Sequence, residues 1–164
     1  MALLNLAAFD NTPLQHDPFD FLIAEGVMSD ETLDEVNQDY PAIDIPANFK
    51  PEDLEYGPSF KRLLEEVDSE EFQAAVENKF GVDLHNTTKT ITVRKYSEMS
   101  DGNIHTDHPS KVMTVLIYFS KEWTQEGGKL RMLRSKTDIE DYAAEATPIG
   151  GTLLAFRRSN KSYH

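Results

Sequence analysis

The 164-residue chain contains no cysteine. Disulfides, zinc-thiolate sites, iron-sulfur clusters and thiol catalysis are thereby excluded, and any metal must be held by nitrogen and oxygen. Cations are scarce as well: 16 Lys and Arg stand against 29 Asp and Glu, a net charge of −13. Nucleic acid and anionic membranes both require a basic surface, so neither is expected as a partner. No hydrophobic run approaches the roughly 20 residues of a membrane span. The opening "MALLNLAAFDN" is briefly apolar but lacks a basic leader and a clear cleavage site, so a cytoplasmic protein is expected. Low-complexity tracts and internal repeats are missing too, and the length suits one domain, 1–164, with a buried core.

The acidity is uneven. Residues 1–88 hold 4 Lys and Arg against 20 Asp and Glu, whereas residues 89–164 hold 12 against 9. This fits either a solvated acidic helical face in the first part or an anion-accepting site in the second. Residues 1–88 read as helices. Ser29 or Asp30 can cap "ETLDEVNQ", with Pro41 as a stop, and Pro58 can open "SFKRLLEEV". Asp68 or Ser69 can cap "EEFQAAVENKF", where Phe72, Val76 and Phe80 recur at helical spacing before Gly81. Prolines at 41, 46 and 51 make the stretch from Pro41 to Tyr56 a loop or irregular edge.

From about residue 89 the pattern becomes that of strands: "KTITVRKY", "KVMTVLIYFS", "GKLRMLRS" and, after the turn signal "TPIGG", "GGTLLAF". Only "TDIEDYAAEA" reads as a helix in this part. The expected fold is mainly β: an antiparallel sandwich or barrel over 89–164, carrying the 1–88 helices on its outside.

"NIHTDHPSK", Asn103 to Lys111, is either a polar turn or a metal grip. Two residues apart on an extended backbone, His105 and Asp107 project to one side, with Thr106 and His108 on the other. If both are ligands, a third must come from elsewhere. His16 and His85 lie in polar segments and read as surface residues, and His108 faces away, which leaves His164 after the "GGTLLAF" strand. Two His and one carboxylate on one face of an ion form the facial triad of non-haem Fe(II) oxygenases, whose open positions accept a bidentate 2-oxo acid and O2. A metallo-β-lactamase pattern would need His at 103, where this chain has Asn103.

The ordered series "HTDHPSKVMTVLIYFSKEW", "EGGKLRML" and "PIGGTLLAFRRSNKSYH" resembles the Fe(II)- and 2-oxoglutarate-dependent dioxygenases of the prolyl 4-hydroxylase type, over about residues 92–164. The resemblance implies a double-stranded β-helix (a cupin-like jelly roll), with His105, Asp107 and His164 as iron ligands. It also implies that Tyr118 hydrogen-bonds the 2-oxoglutarate carboxylate and that Tyr96 lines the same pocket from the preceding strand; core packing is the alternative for both. The implied cofactors are Fe(II), 2-oxoglutarate and O2, with ascorbate as reductant. The implied reaction is hydroxylation of a peptidyl residue or small metabolite with release of succinate and CO2.

The family pattern also places an Arg or Lys about ten residues beyond the last His, to pair with the distal carboxylate of 2-oxoglutarate. This sequence ends at His164. A chain cut short, lacking its closing strand, is therefore expected, with Lys129 or Arg131 as the alternative source of the cation. Arg157 and Arg158 are expected to flank the site mouth or face solvent, and "SEMSDGN" either closes over substrate or simply connects strands. The competing functional reading is a non-catalytic jelly-roll protein that binds metal or ligand, or serves in interaction, without oxidising anything.

Overall fold

The computed structural model describes residues 2–96, 103–123 and 128–164. The "SEMSDG" part of the loop considered above therefore lies outside the described residues. The elements run α1 (Leu6–Asp10), β1 (Phe21–Ala24), α2 (Asp30–Gln38), a 3-10 turn (Pro51–Asp53), α3 (Pro58–Val67), α4 (Glu70–Phe80), β2 (Met113–Ile117), β3 (Leu130–Leu133), β4 (Tyr142–Ala146) and β5 (Leu153–Arg157).

The helices begin where the capping residues foretell. Ser29 and Ser69 accept the N–H groups of Thr32 and Phe72, and α4 ends at Gly81 in the left-handed conformation, φ 66°. Helix α3 starts differently. Its N-cap, Gly57, has no side chain to offer, and the Asp39 carboxylate at the end of α2 accepts the Ser59 N–H at 2.6 Å instead. A Cβ on Gly57 would fall 2.3 Å from that carboxyl carbon, so glycine is required there by proximity. Asp39→Ala is expected to cost about 1 kcal/mol, the usual value of a lost helix cap, read from the urea midpoint at unchanged m-value.

Two antiparallel sheets form: β1-β5-β2, and the pair β3-β4. β5 is the central strand, and Leu153, Leu154, Ala155 and Phe156 are all buried because both faces of the sheet are covered. Period-two alternation divides the faces. Leu153 and Ala155, with Leu22 and Ala24 of β1, join Phe9, Leu33, Val36, Phe60, Leu63, Phe72, Val76 and Phe80 of the helices. Leu154 and Phe156, with Phe19 and Phe21, pack against Met132 of β3 and Ala146 of β4. Burial of each such Leu or Phe contributes about 1.5–3 kcal/mol. Among the described residues these strands do not close into a barrel or complete a jelly roll, and no helix is long and apolar enough to cross a membrane.

Three expectations change. The first part of the chain is not all helical, because "FLIA" is β1 and pairs with β5 from Phe21↔Phe156 to Ala24↔Leu153. "YAAEA" forms β4, not a helix: Ala144 and Ala146 are small enough to lie under the sheet, and pairing with β3 overrides their helical propensity. "KTITVRKY" makes only an isolated bridge, Phe49↔Val93. Extending that bridge would pair residue 91 with Pro51, which has no N–H, and residue 95 with Ala47, whose N–H already bonds the Ile45 carbonyl.

Candidate metal centre

His105 and His164 are joined through the backbone before their side chains are considered. The His105 N–H donates to the His164 carbonyl at 3.1 Å, and the His164 N–H returns a bond to the His105 carbonyl at 3.0 Å. Their imidazoles lie 4.3 Å apart between centroids, and the His164 ring rests on Phe156 at 4.6 Å. Strand β5 thus backs one histidine, and that histidine's main chain fixes the other.

Asp107 completes the group. Its Oδ1 lies 3.4 Å from His164 Nε2 and 3.7 Å from His105 Nε2. One ligand atom from each of the three residues falls within 4.8 Å of the others. Adjacent ligands of a six-coordinate ion with bonds of about 2.1 Å stand about 3 Å apart, so these spacings suit a small first-row cation after slight contraction. The ring tautomers suit it as well. Nδ1 of His105 lies 2.9 Å from the Asn103 carbonyl, and Nδ1 of His164 lies 2.9 Å from the Ser162 carbonyl. A carbonyl only accepts, so each Nδ1 carries the hydrogen and each neutral ring offers the Nε2 lone pair. The donor set of two imidazoles and one carboxylate fits Fe(II).

Hydrogen bonding from His164, against the opposing effect of burial and with help from the Thr114 hydroxyl, holds the Asp107 carboxyl well below the usual carboxylate range. Nε2 of His164 and Oδ1 of Asp107 face each other at 3.4 Å, so a proton and a metal ion compete for the space between them. His105 is half-exposed, whereas the side chains of Asp107 and His164 are about a tenth exposed or less, so the group opens to solvent on the His105 side.

Tyr118, just past β2, is a partly buried member of the layer that packs against the cluster containing Leu154 and Phe156. Burial raises its phenol to about 12, so it remains a hydrogen-bond donor at neutral pH. Tyr96 lies at the surface. It is 45 % exposed, its ring lies beneath Lys95 Nζ at 5.5 Å, and it belongs to no strand. Lys129 and Arg131 are turned away as well. They alternate with Leu130 and Met132, which point into the layer, and they pair with Glu145 at 3.6 and 3.1 Å; Arg131 also pairs with Glu140 at 3.2 Å. That geometry does not support either as the cation for a bound dicarboxylate.

His16 bonds Asp20, and His108 bonds Ser110, both at the surface, and neither belongs to the converging group. His85 meets Asp83 and Glu77 at 2.8 and 3.2 Å, a second His-carboxylate cluster. Its carboxylates already serve the chain after α4, since Glu77 accepts the Leu84 N–H and Asp83 accepts the His85 N–H. Thr114 was not anticipated at this group, and Arg158 was expected only to flank the site mouth or face solvent. Thr114 donates to Asp107 Oδ2 at 2.5 Å, and Arg158 Nε donates to the Asp107 carbonyl at 3.0 Å. A hydroxyl interrupting "VMTVLIYF" was the available signal for Thr114; the Arg158 contact spans 51 positions and leaves no local trace.

Residues 91–164 match the model of the 2OG-Fe(II) oxygenase superfamily, a span that holds β2 to β5 and His105, Asp107 and His164. No curated protein and no solved structure matches the chain. The family match covers somewhat under half of the sequence and supports membership of that superfamily, with Fe(II), 2-oxoglutarate and O2 as the reactants that membership implies.

Proposed function

We propose that the protein is an Fe(II)- and 2-oxoglutarate-dependent hydroxylase of the prolyl 4-hydroxylase type, acting on a peptidyl residue or a small metabolite. The observation that carries this reading is the convergence of Oδ1 of Asp107 with the Nε2 atoms of His105 and His164, each Nδ1 committed to a carbonyl. These three side chains hold Fe(II), which when bound couples decarboxylation of 2-oxoglutarate to succinate and CO2 with insertion of one O2-derived oxygen into a substrate C–H bond.

The rest is the work of the chain. Phe156 sets the plane of His164, and the apolar layer of Leu116, Leu130 and Phe156 keeps water from the inner side. Tyr118 donates its phenol hydrogen to a carboxylate of 2-oxoglutarate, a role its raised pKa permits. A hydrogen bond to a charged acceptor contributes about 1.5–3 kcal/mol. Tyr118→Phe is therefore expected to weaken 2-oxoglutarate binding by about 10–100-fold while Fe(II) binding stays unchanged, measured calorimetrically under anaerobic conditions. The activity itself is tested by succinate formation from 2-oxoglutarate by the Fe(II)-loaded protein in air. A folded, iron-loaded protein that forms no succinate, with or without candidate substrates, would favour the non-catalytic reading.

A further inference from the structure

Thr114 is a polar residue within the apolar strand β2, and its register gives the reason. It lies opposite Phe156 of β5, which lies opposite Phe21 of β1, so Thr114 shares the sheet face that carries the metal group. There its hydroxyl donates to Oδ2 of Asp107 at 2.5 Å, while both imidazole Nε2 atoms approach the other oxygen, Oδ1. The backbone of Asp107 is tied as well. Arg158, directly after β5, donates from Nε to the Asp107 carbonyl at 3.0 Å and from its main-chain N–H to the Val112 carbonyl at 2.8 Å. Asp107 is thus held at its carboxylate by Thr114 and at its main-chain carbonyl by Arg158, and only one carboxylate oxygen, Oδ1, is left for a cation.

We propose that Thr114 is a positioning residue that makes Asp107 a one-oxygen ligand by holding Oδ2 away from the metal. This rests on the metal-centre reading above and deepens it. A carboxylate free to turn can bind through both oxygens and occupy two positions of a six-coordinate ion. With Oδ2 held, three protein atoms occupy three positions and three remain open. A bidentate 2-oxo acid needs two of these and O2 the third, so the Thr114 hydrogen bond sets the number of positions on which the proposed chemistry depends.

The test uses Co(II) alone as probe on the full chain, without substrate or turnover. Affinity is measured by competition with a chromophoric chelator, and coordination by the visible Co(II) bands. Groups that orient a metal ligand typically contribute 10–100-fold in affinity. Thr114→Val, which keeps the β-branched shape of the strand residue, is expected to bind Co(II) about 10–100-fold more weakly with an altered band pattern. Thr114→Ser, which keeps the hydroxyl, is expected to restore wild-type bands and most of the affinity. Near-UV circular dichroism confirms folding, and Thr114→Ala replaces the valine variant if that does not fold. Wild-type affinity and bands in Thr114→Val would overturn the proposal, as would a serine variant that binds no better than valine. A wild-type chain that fails to bind Co(II) would instead overturn the metal-centre reading itself, so the two failures are distinguishable.

Discussion

Asp107→Ala is expected to lower Fe(II) affinity by at least about 100-fold and to abolish 2-oxoglutarate turnover, with the protein still folded. The variant removes the only carboxylate among the three converging groups and leaves two imidazoles, 4.3 Å apart, without a counter-charge. Losing a ligand is more severe than losing a group that merely orients one, for which 10–100-fold is typical. The effect on the fold is smaller, because both histidines remain fixed by their reciprocal backbone bonds.

The same variant carries a pH signature with a definite sign. The folded-state pKa of Asp107 lies below its unfolded value of about 3.9, so the carboxylate contributes stability that is complete above that value and is lost as pH falls further. In the metal-free protein, acid unfolding of the wild type should therefore steepen below about pH 4, and Asp107→Ala should lack that component. Parallel acid-unfolding curves for the two proteins would contradict the assignment of Asp107 as a carboxylate held ionised by His164.

Phe156→Ala should produce the largest loss of stability among the substitutions considered. Phe156 is fully buried on the central strand, lies opposite Phe21 and Thr114, and meets the Phe19 ring at 6.1 Å and the His164 ring at 4.6 Å. Phe→Ala in such a setting costs about 3–5 kcal/mol, from lost burial plus the cavity left behind. At about 2–4 °C per kcal/mol for a chain of this size, the fall in Tm is on the order of 6–20 °C. Where the variant still folds, metal affinity should fall too, because His164 loses the ring that sets its plane. Phe156→Leu should keep most of both properties. An alanine variant as stable as the wild type would contradict the placement of this residue between the two sheets.

The helices were legible because their signals are local. Ser29, Ser69, Pro58 and Gly81 mark ends, and Phe72, Val76 and Phe80 mark a buried face, within stretches short enough for periodicity to act. The strands were legible where apolar residues ran together, as in β2 and β5, and obscure where pairing decides the matter. β1 is four residues whose state depends on β5 more than 100 positions later, and β4 is rich in Ala and Glu, which favour helix in isolation. The bridge at Val93 was overestimated because its limits are set by Pro51 and Ala47 on the partner segment.

The candidate site divides the same way. His105 and Asp107 are two residues apart, so their common direction follows from backbone geometry alone. His164 is 57 positions beyond Asp107, and setting aside the other histidines together with the ordered series of motifs pointed to it before the fold brought it within 3.4 Å. Thr114 reaches Asp107 from seven positions along the same stretch, whereas Arg158 acts on it across the β2–β5 pairing, which no single stretch of sequence reveals.

Iron held by His105, Asp107 and His164 and able to chelate a 2-oxo acid is the proposal on which the function rests. The most direct measurement is the visible charge-transfer band of 2-oxoglutarate added anaerobically to the Fe(II)-loaded protein. A band that saturates with 2-oxoglutarate is expected in the wild type and is expected to be missing in Asp107→Ala. A folded wild-type protein that binds Fe(II) yet gives no band, or a band that persists unchanged in Asp107→Ala, would contradict the proposal.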